Sequence, residues 1–142
     1  MPKLILELEE NFDFTLIGIF CHSKDYRLAF ELNKKLKFEL VREDDYVLKI
    51  KGEICHFGFF SFIDEESALE YYLVSNKGST GKLIGEEKNT DYFLAVKGEI
   101  ETTYEKELLD TINKIQLILK AYSIEAVSYT HLRAHETRHD RV

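Results

Sequence analysis

The chain has 142 residues, 44% of them apolar and 13% aromatic, with no tryptophan and a single proline at position 2. A chain of this size buries about two-thirds of its unfolded surface, so one core forms without disulfide or metal staples. The net charge of −7 argues against partners read through lysine and arginine clusters, nucleic acids and anionic membranes alike.

At the N-terminus, Met1-Pro2-Lys3 is followed by only Leu4-Ile5-Leu6 before Glu7, too short an apolar stretch for an export signal. The longest near-continuous apolar run, Phe14 to Cys21, falls far below the ~20 residues of a membrane helix. Cys21 and Cys55 are therefore expected to be reduced, and the protein to be soluble and cytoplasmic. Residues 3–8 read as a strand with Leu4, Leu6 and Leu8 on one face. Phe12 to Cys21 fits two readings, a strand by the alternation of Phe12, Phe14 and Leu16, or a buried helical turn by Leu16-Ile17-x-Ile19-Phe20. Ser23 as N-cap and Asp25 in the first turn open a helix over about 23–37. Its inward stripe reads as Tyr26, Ala29, Phe30, Asn33 and Leu36, with Lys34, Lys35 and Lys37 outward. Asn33 on that stripe demands a hydrogen-bond partner.

Tyr46 to Ile50 is a strand, turned by Lys51-Gly52. Cys55 to Ile63, CHFGFFSFI, reads as one central strand covered on both faces. Cys55, Phe57, Phe59 and Ser61 form one face; His56, Gly58, Phe60 and Phe62 form the other. Asp64 to Ser67 is a turn. Leu69 to Ser75 fits a strand, with a helix from Asp64 as the competing reading. Residues 76–90 hold no clear element, and a loop of that length is often functional or mobile. Asp91 to Val96 resumes as a strand, turned by Lys97-Gly98. Thr102 and Glu105 have capping-box spacing and open a closing helix over about 103–122, striped by Tyr104, Leu108, Ile112, Ile115, Leu119 and Tyr122. This order predicts one α+β domain over residues 1–126, an antiparallel sheet packed by two helices.

Val127 to Val142 departs from the rest. It holds three of the five histidines and three of the five arginines, whereas residues 1–126 carry fourteen lysines against Arg27 and Arg42. THLRAHET also resembles a sequencing adapter translated in frame, so residues 127–142 are read as a non-native or disordered tail. His131, His135 and His139, spaced by four, would share a helix face and suit zinc; the tail's origin sets that reading aside. Without the tail's three arginines, Glu136 and Asp140, the body is one unit more acidic than the whole chain.

Residues 84–92, Ile84-Gly85-Glu86-Glu87-Lys88-Asn89-Thr90-Asp91-Tyr92, resemble the nine-residue signature of the small bacterial IPExxxVDY proteins. Ile84, Glu86, Asp91 and Tyr92 match; Gly85 stands for proline and Thr90 for valine. Phe12-Asp13-Phe14, Leu16-Ile17-Gly18-Ile19, Asp25-Tyr26-Arg27-Leu28 with Asn33 beyond, and Tyr71-Tyr72-Leu73 agree in type and order, so the resemblance spans about residues 3–124. It implies no reaction, substrate or cofactor. The proline-to-glycine change loosens the loop, since proline fixes φ and glycine does not.

Three clusters compete for a role. Glu86, Asp91 and Tyr92 fit acid–base work or a divalent cation, or a structural role in which Asp91 accepts backbone N–H bonds as an Asx-turn before the strand and Tyr92 is packed with its hydroxyl bonded. The structural role is the expectation. Asp25, Tyr26 and Arg27 form the second cluster. A rare arginine implies use of its planar fork, on an anionic ligand or, as expected here, on Asp91 or Glu86 as an internal staple. Cys21-His22 and Cys55-His56 have zinc-ligand chemistry without chelating spacing, because neighbours on a strand point apart; no metal and no cofactor are expected. Lys77-Gly78-Ser79-Thr80-Gly81-Lys82 lacks P-loop spacing. The expected function is a non-catalytic interaction or accessory domain with a protein or small-ligand partner, showing an exposed aromatic patch at Tyr46, Tyr71 or Tyr72. The alternative is a small enzyme or ligand-binding protein using Arg27, Glu86, Asp91 and Tyr92.

Overall fold

A computed structural model describes residues 14–77 and 90–124. The expected strand at 3–8, most of the 76–90 loop with Glu86, and the tail lie outside the described residues. The elements run β1 (Phe14–Phe20), α1 (Asp25–Leu36), β2 (Val41–Arg42), β3 (Tyr46–Ile50), β4 (Glu53–Phe57), β5 (Phe59–Asp64), β6 (Leu69–Ser75), β7 (Tyr92–Lys97), α2 (Thr102–Asn113) and β8 (Lys120–Ile124). The fold is α+β. Six strands form an antiparallel sheet in the order β2-β5-β6-β7-β1-β8, and β3-β4 form a separate hairpin. Among the described residues no helix is long and apolar enough to cross a membrane.

Alternation along the strands divides the core in two. Ile17, Ile19, Leu73, Leu94 and Val96 pack under α1 and α2 with Leu28, Leu32, Leu108 and Ile112. On the other face Leu16, Val74, Phe93 and Ala95 pack under the hairpin's Cys55 and Phe57. Each fully buried leucine or isoleucine contributes about 1.5–3 kcal/mol. The hairpin turns at Lys51 and Gly52, both with positive φ (50° and 83°), the two-residue geometry that matches strand twist. Phe12 to Cys21 resolves as a strand from Phe14, and Leu69 to Ser75 as a strand.

CHFGFFSFI is two strands, not one. The chain passes from the hairpin to the main sheet at Gly58, where a Cβ would run into the Asp25 carboxylate. The two-face reading survives the break, with Phe60 and Phe62 joining the helix-side core and Phe59 the hairpin-side core.

Both helices depart from their expected details. The N-cap of α1 is Lys24, without a side-chain cap bond, and not Ser23. Its inward stripe is Leu28, Ala29, Leu32 and Leu36. Tyr26 and Phe30, assigned inward from the sequence, are 65% and 64% exposed. The N-cap of α2 is Glu101, and Glu105 does not close a capping box; it accepts a hydrogen bond from Ser123 Oγ at 2.6 Å. The helix ends at Asn113, well short of 122. Ile115 and Ile118 anchor the following turns in the core, and Leu119 N–H bonds Phe20 O at 2.9 Å to begin β8.

An asparagine in each helix's last turn directs the exit. Asn33 donates to Leu40 O and accepts from Leu40 N–H at 3.1 and 2.9 Å. Asn113 does the same with Ala121 at 3.0 and 2.8 Å. A side-chain amide offers one donor and one acceptor, so it substitutes for a strand neighbour where no strand lies. This is the partner that Asn33 required.

Candidate functional site

Asp91 and Tyr92 stand at the start of β7, beside the ends of β1 and β6. Asp91 N–H donates to Ile19 O at 3.0 Å, and Asn76 N–H to Asp91 O at 2.9 Å. Buried Asn76 also donates from Nδ2 to Thr90 O at 2.8 Å. Asp91 is 7% exposed. Its Oδ2 accepts Cys21 N–H at 2.9 Å and its Oδ1 lies 2.8 Å from Lys77 Nζ. Such charge-assisted bonds are about twice as strong as neutral ones.

Tyr92, the next residue, points to the helix-side core and is 7% exposed. Its hydroxyl donates to Ser23 O at 2.6 Å. Burial, with the negative charge of Asp25 next in weight, holds the phenol well above its ordinary range. The connection Cys21–Lys24 between β1 and α1 is therefore fixed twice. Asp91 takes the N–H of Cys21 and Tyr92 bonds the carbonyl of Ser23. The pair sets where α1 begins.

The expected Arg27–Asp91 staple is corrected, while its alternative partner, Glu86, lies outside the described residues. Arg27 is exposed on α1, and among the described residues the cation on Asp91 is Lys77. Asp91 does accept a backbone N–H, but from Cys21, 70 positions away, and not from an Asx-turn. Asp25 turns inward over Gly58 and toward Tyr92, whereas Tyr26 faces outward. The structure thus brings Asp25, Asp91 and Tyr92 together and separates them from Tyr26 and Arg27. The rare-arginine argument fits Arg42, whose guanidinium donates to Glu43 O, Phe59 O and Asp45 and lies over the Phe60 ring.

A cleft of about 330 Å³ opens beside Asp91, between Lys24 and Lys77, with His22 exposed at its edge. Its acidic and phenolic groups are committed. Both Asp91 oxygens are bonded, the Tyr92 hydroxyl donates to backbone, and the Cys21 thiol is 1% exposed. Acid–base work by Asp91 would first have to break the bonds that hold α1. A second cleft, about 370 Å³, lies between the β5–β6 turn and the start of α2. There the Tyr71 and Tyr104 hydroxyls meet at 2.7 Å, and burial with that bond drives the Tyr71 phenol far up.

Cys21 and Cys55 are buried in opposite cores, and His22 and His56 are exposed. Cys55 and His56 point apart as neighbours on β4, and Cys21 and His22 follow the end of β1, the first buried and the second exposed. The tyrosines named as exposed anchors are corrected as well. Tyr71 is buried, and Tyr46 and Tyr72 pack against Phe59. The sequence reading missed Lys77 and Asn76, placed only in a loop without a clear element; an asparagine followed by a cation at the foot of that loop was the available signal. It also missed Tyr122, whose ring covers Gly18 and whose hydroxyl bonds buried Thr90. No protein-family model matches the chain, and no curated protein matches it.

Proposed function

We propose that this domain is a soluble, cytoplasmic, non-catalytic interaction module, a divergent IPExxxVDY protein whose working surface is the outer face of α1. The observation that carries the reading is the exposure of Tyr26 and Phe30, 65% and 64%, one turn apart on a helix that the sheet holds in place. Two large aromatic rings in water serve no packing role, and aromatic anchors are enriched at interfaces. The polar residues that favoured chemistry support the same conclusion, since Asp91 and Tyr92 spend their bonds on the segment leading into α1. An enzyme built on Arg27, Glu86, Asp91 and Tyr92 finds less support. Arg27 sits on the exposed side of α1, and Asp91 has neither oxygen free.

The test is site-specific photo-crosslinking in the natural host. A photoreactive phenylalanine at position 30 is expected to yield a discrete protein adduct, absent with the same group at exposed Val47 on the hairpin. No adduct at 30, or identical adducts from both positions, would reject the reading.

A further inference from the structure

The outer face of α1 is basic in an acidic chain. Lys24, Arg27, Lys34, Lys35 and Lys37 are all exposed along the helix and its caps. The acidic residues of the same stretch compensate little. Asp25 is turned inward over Gly58, and Glu31 is half-buried. Five exposed cations thus lie along the helix that carries two exposed aromatic rings, with Arg27 and Lys34 beside them, in a chain of net charge −7.

Helical spacing orders this surface. Tyr26 and Phe30 are four apart, and Arg27, Phe30 and Lys34 follow at three and four, so the cations flank the rings on one side of the helix. We infer that the partner is an acidic protein segment carrying apolar anchors, which seats those anchors against Tyr26 and Phe30 and its carboxylates on Arg27 and Lys34. This rests on the interaction reading above and adds the chemistry of the partner. Charge complementarity selects the occupant. A segment with a few carboxylates needs only the local cations, because screening confines their field to about 8 Å. A nucleic acid or an anionic bilayer presents many charges over a longer range and meets the acidic remainder of the domain as well. An arginine fork suits a carboxylate in particular.

The experiment is selection from a displayed library of random short peptides against the folded protein, with counter-selection against the Tyr26→Ser/Phe30→Ser variant. Enriched sequences are expected to be net acidic, with apolar residues three or four apart. Binding of a synthesised hit, followed by fluorescence anisotropy, should weaken at least about tenfold in Tyr26→Ser/Phe30→Ser and in Arg27→Glu/Lys34→Glu, with circular dichroism unchanged in both. Neutral or basic hits that still require Tyr26 and Phe30 would overturn the acidic-partner inference and leave the interaction reading standing. Tighter binding of oligothymidylate or of phosphatidylserine vesicles through the same residues would overturn the inference in favour of those surfaces. No enrichment over the counter-selected variant would overturn both.

Discussion

Replacing Asp91 separates a structural residue from a chemical one. Asp91→Ala leaves Cys21 N–H, now bonded at 2.9 Å and buried, without an acceptor, which costs about 1–3 kcal/mol. Lys77 adds little to that loss, because its side chain is 57% exposed and rehydrates when its partner goes. The expected total for Asp91→Ala therefore stays at about 1–3 kcal/mol. Asp91→Asn keeps an acceptor for Cys21 N–H and loses only the ion pair, for about 1 kcal/mol or less. Equilibrium urea unfolding of both variants, with a double-mutant cycle against Lys77→Met, gives these values directly. Asparagine as costly as alanine would place the stability in the ion pair and not in the Cys21 bond. Both variants at wild-type stability would refute the structural role and return Asp91 to the candidates for chemistry.

Other perturbations test the remaining joints. Tyr71 and Tyr92 are held above the ordinary phenol range in the folded chain, so the unfolded chain releases these protons first. Their contribution is complete below about pH 10 and falls by ~1.4 kcal/mol per pH unit for each above it; urea midpoints from pH 9 to 11 that stay flat would contradict this. Gly58→Ala is expected to cost about 1 kcal/mol, because the Asp25 carboxylate must swing aside for the new methyl, with Asp25→Ala in the same background recovering part of it; strictly additive losses in thermal melts would rule out that contact. Asn113→Ala leaves Ala121 N–H and C=O without their side-chain partner and should cost about 1–3 kcal/mol, with faster hydrogen exchange in β8; unchanged exchange there would show that β1 alone holds the strand.

Much of the architecture was legible because local patterns and tertiary packing agree. Lys51-Gly52 between two alternating runs specifies a hairpin wherever it occurs, and Leu69, Tyr71 and Leu73 alternate onto one core face. The errors arose where two local patterns were available. On α1, Tyr26-Ala29-Phe30 and Leu28-Ala29-Leu32 both have helical spacing; only the sheet beneath decides between them, and it takes the leucines. Ile115, Leu119 and Tyr122 continue the period of α2 by coincidence, since Asn113 ends the helix and Tyr122 crosses to the opposite sheet face over Gly18. For the site, the kind of bond was readable and the partner was not. An aspartate before a strand signals a backbone acceptor role, but its donor, Cys21 N–H, lies 70 positions away and its cation is Lys77. Such pairings follow from strand order, which no local spacing encodes.

On the proposed function, the domain works through the outer face of α1 while Asp91 and Tyr92 hold that helix in place. An amide chemical-shift map, recorded as a selected peptide is titrated into the protein, tests it most directly. The account predicts the largest shifts along residues 24–37, centred on Tyr26, Arg27, Phe30 and Lys34, with small changes at Ser75, Lys77 and Asp91. Shifts concentrated instead in the cleft beside Asp91, or in the one between Tyr71 and Tyr104, with α1 undisturbed, would contradict it.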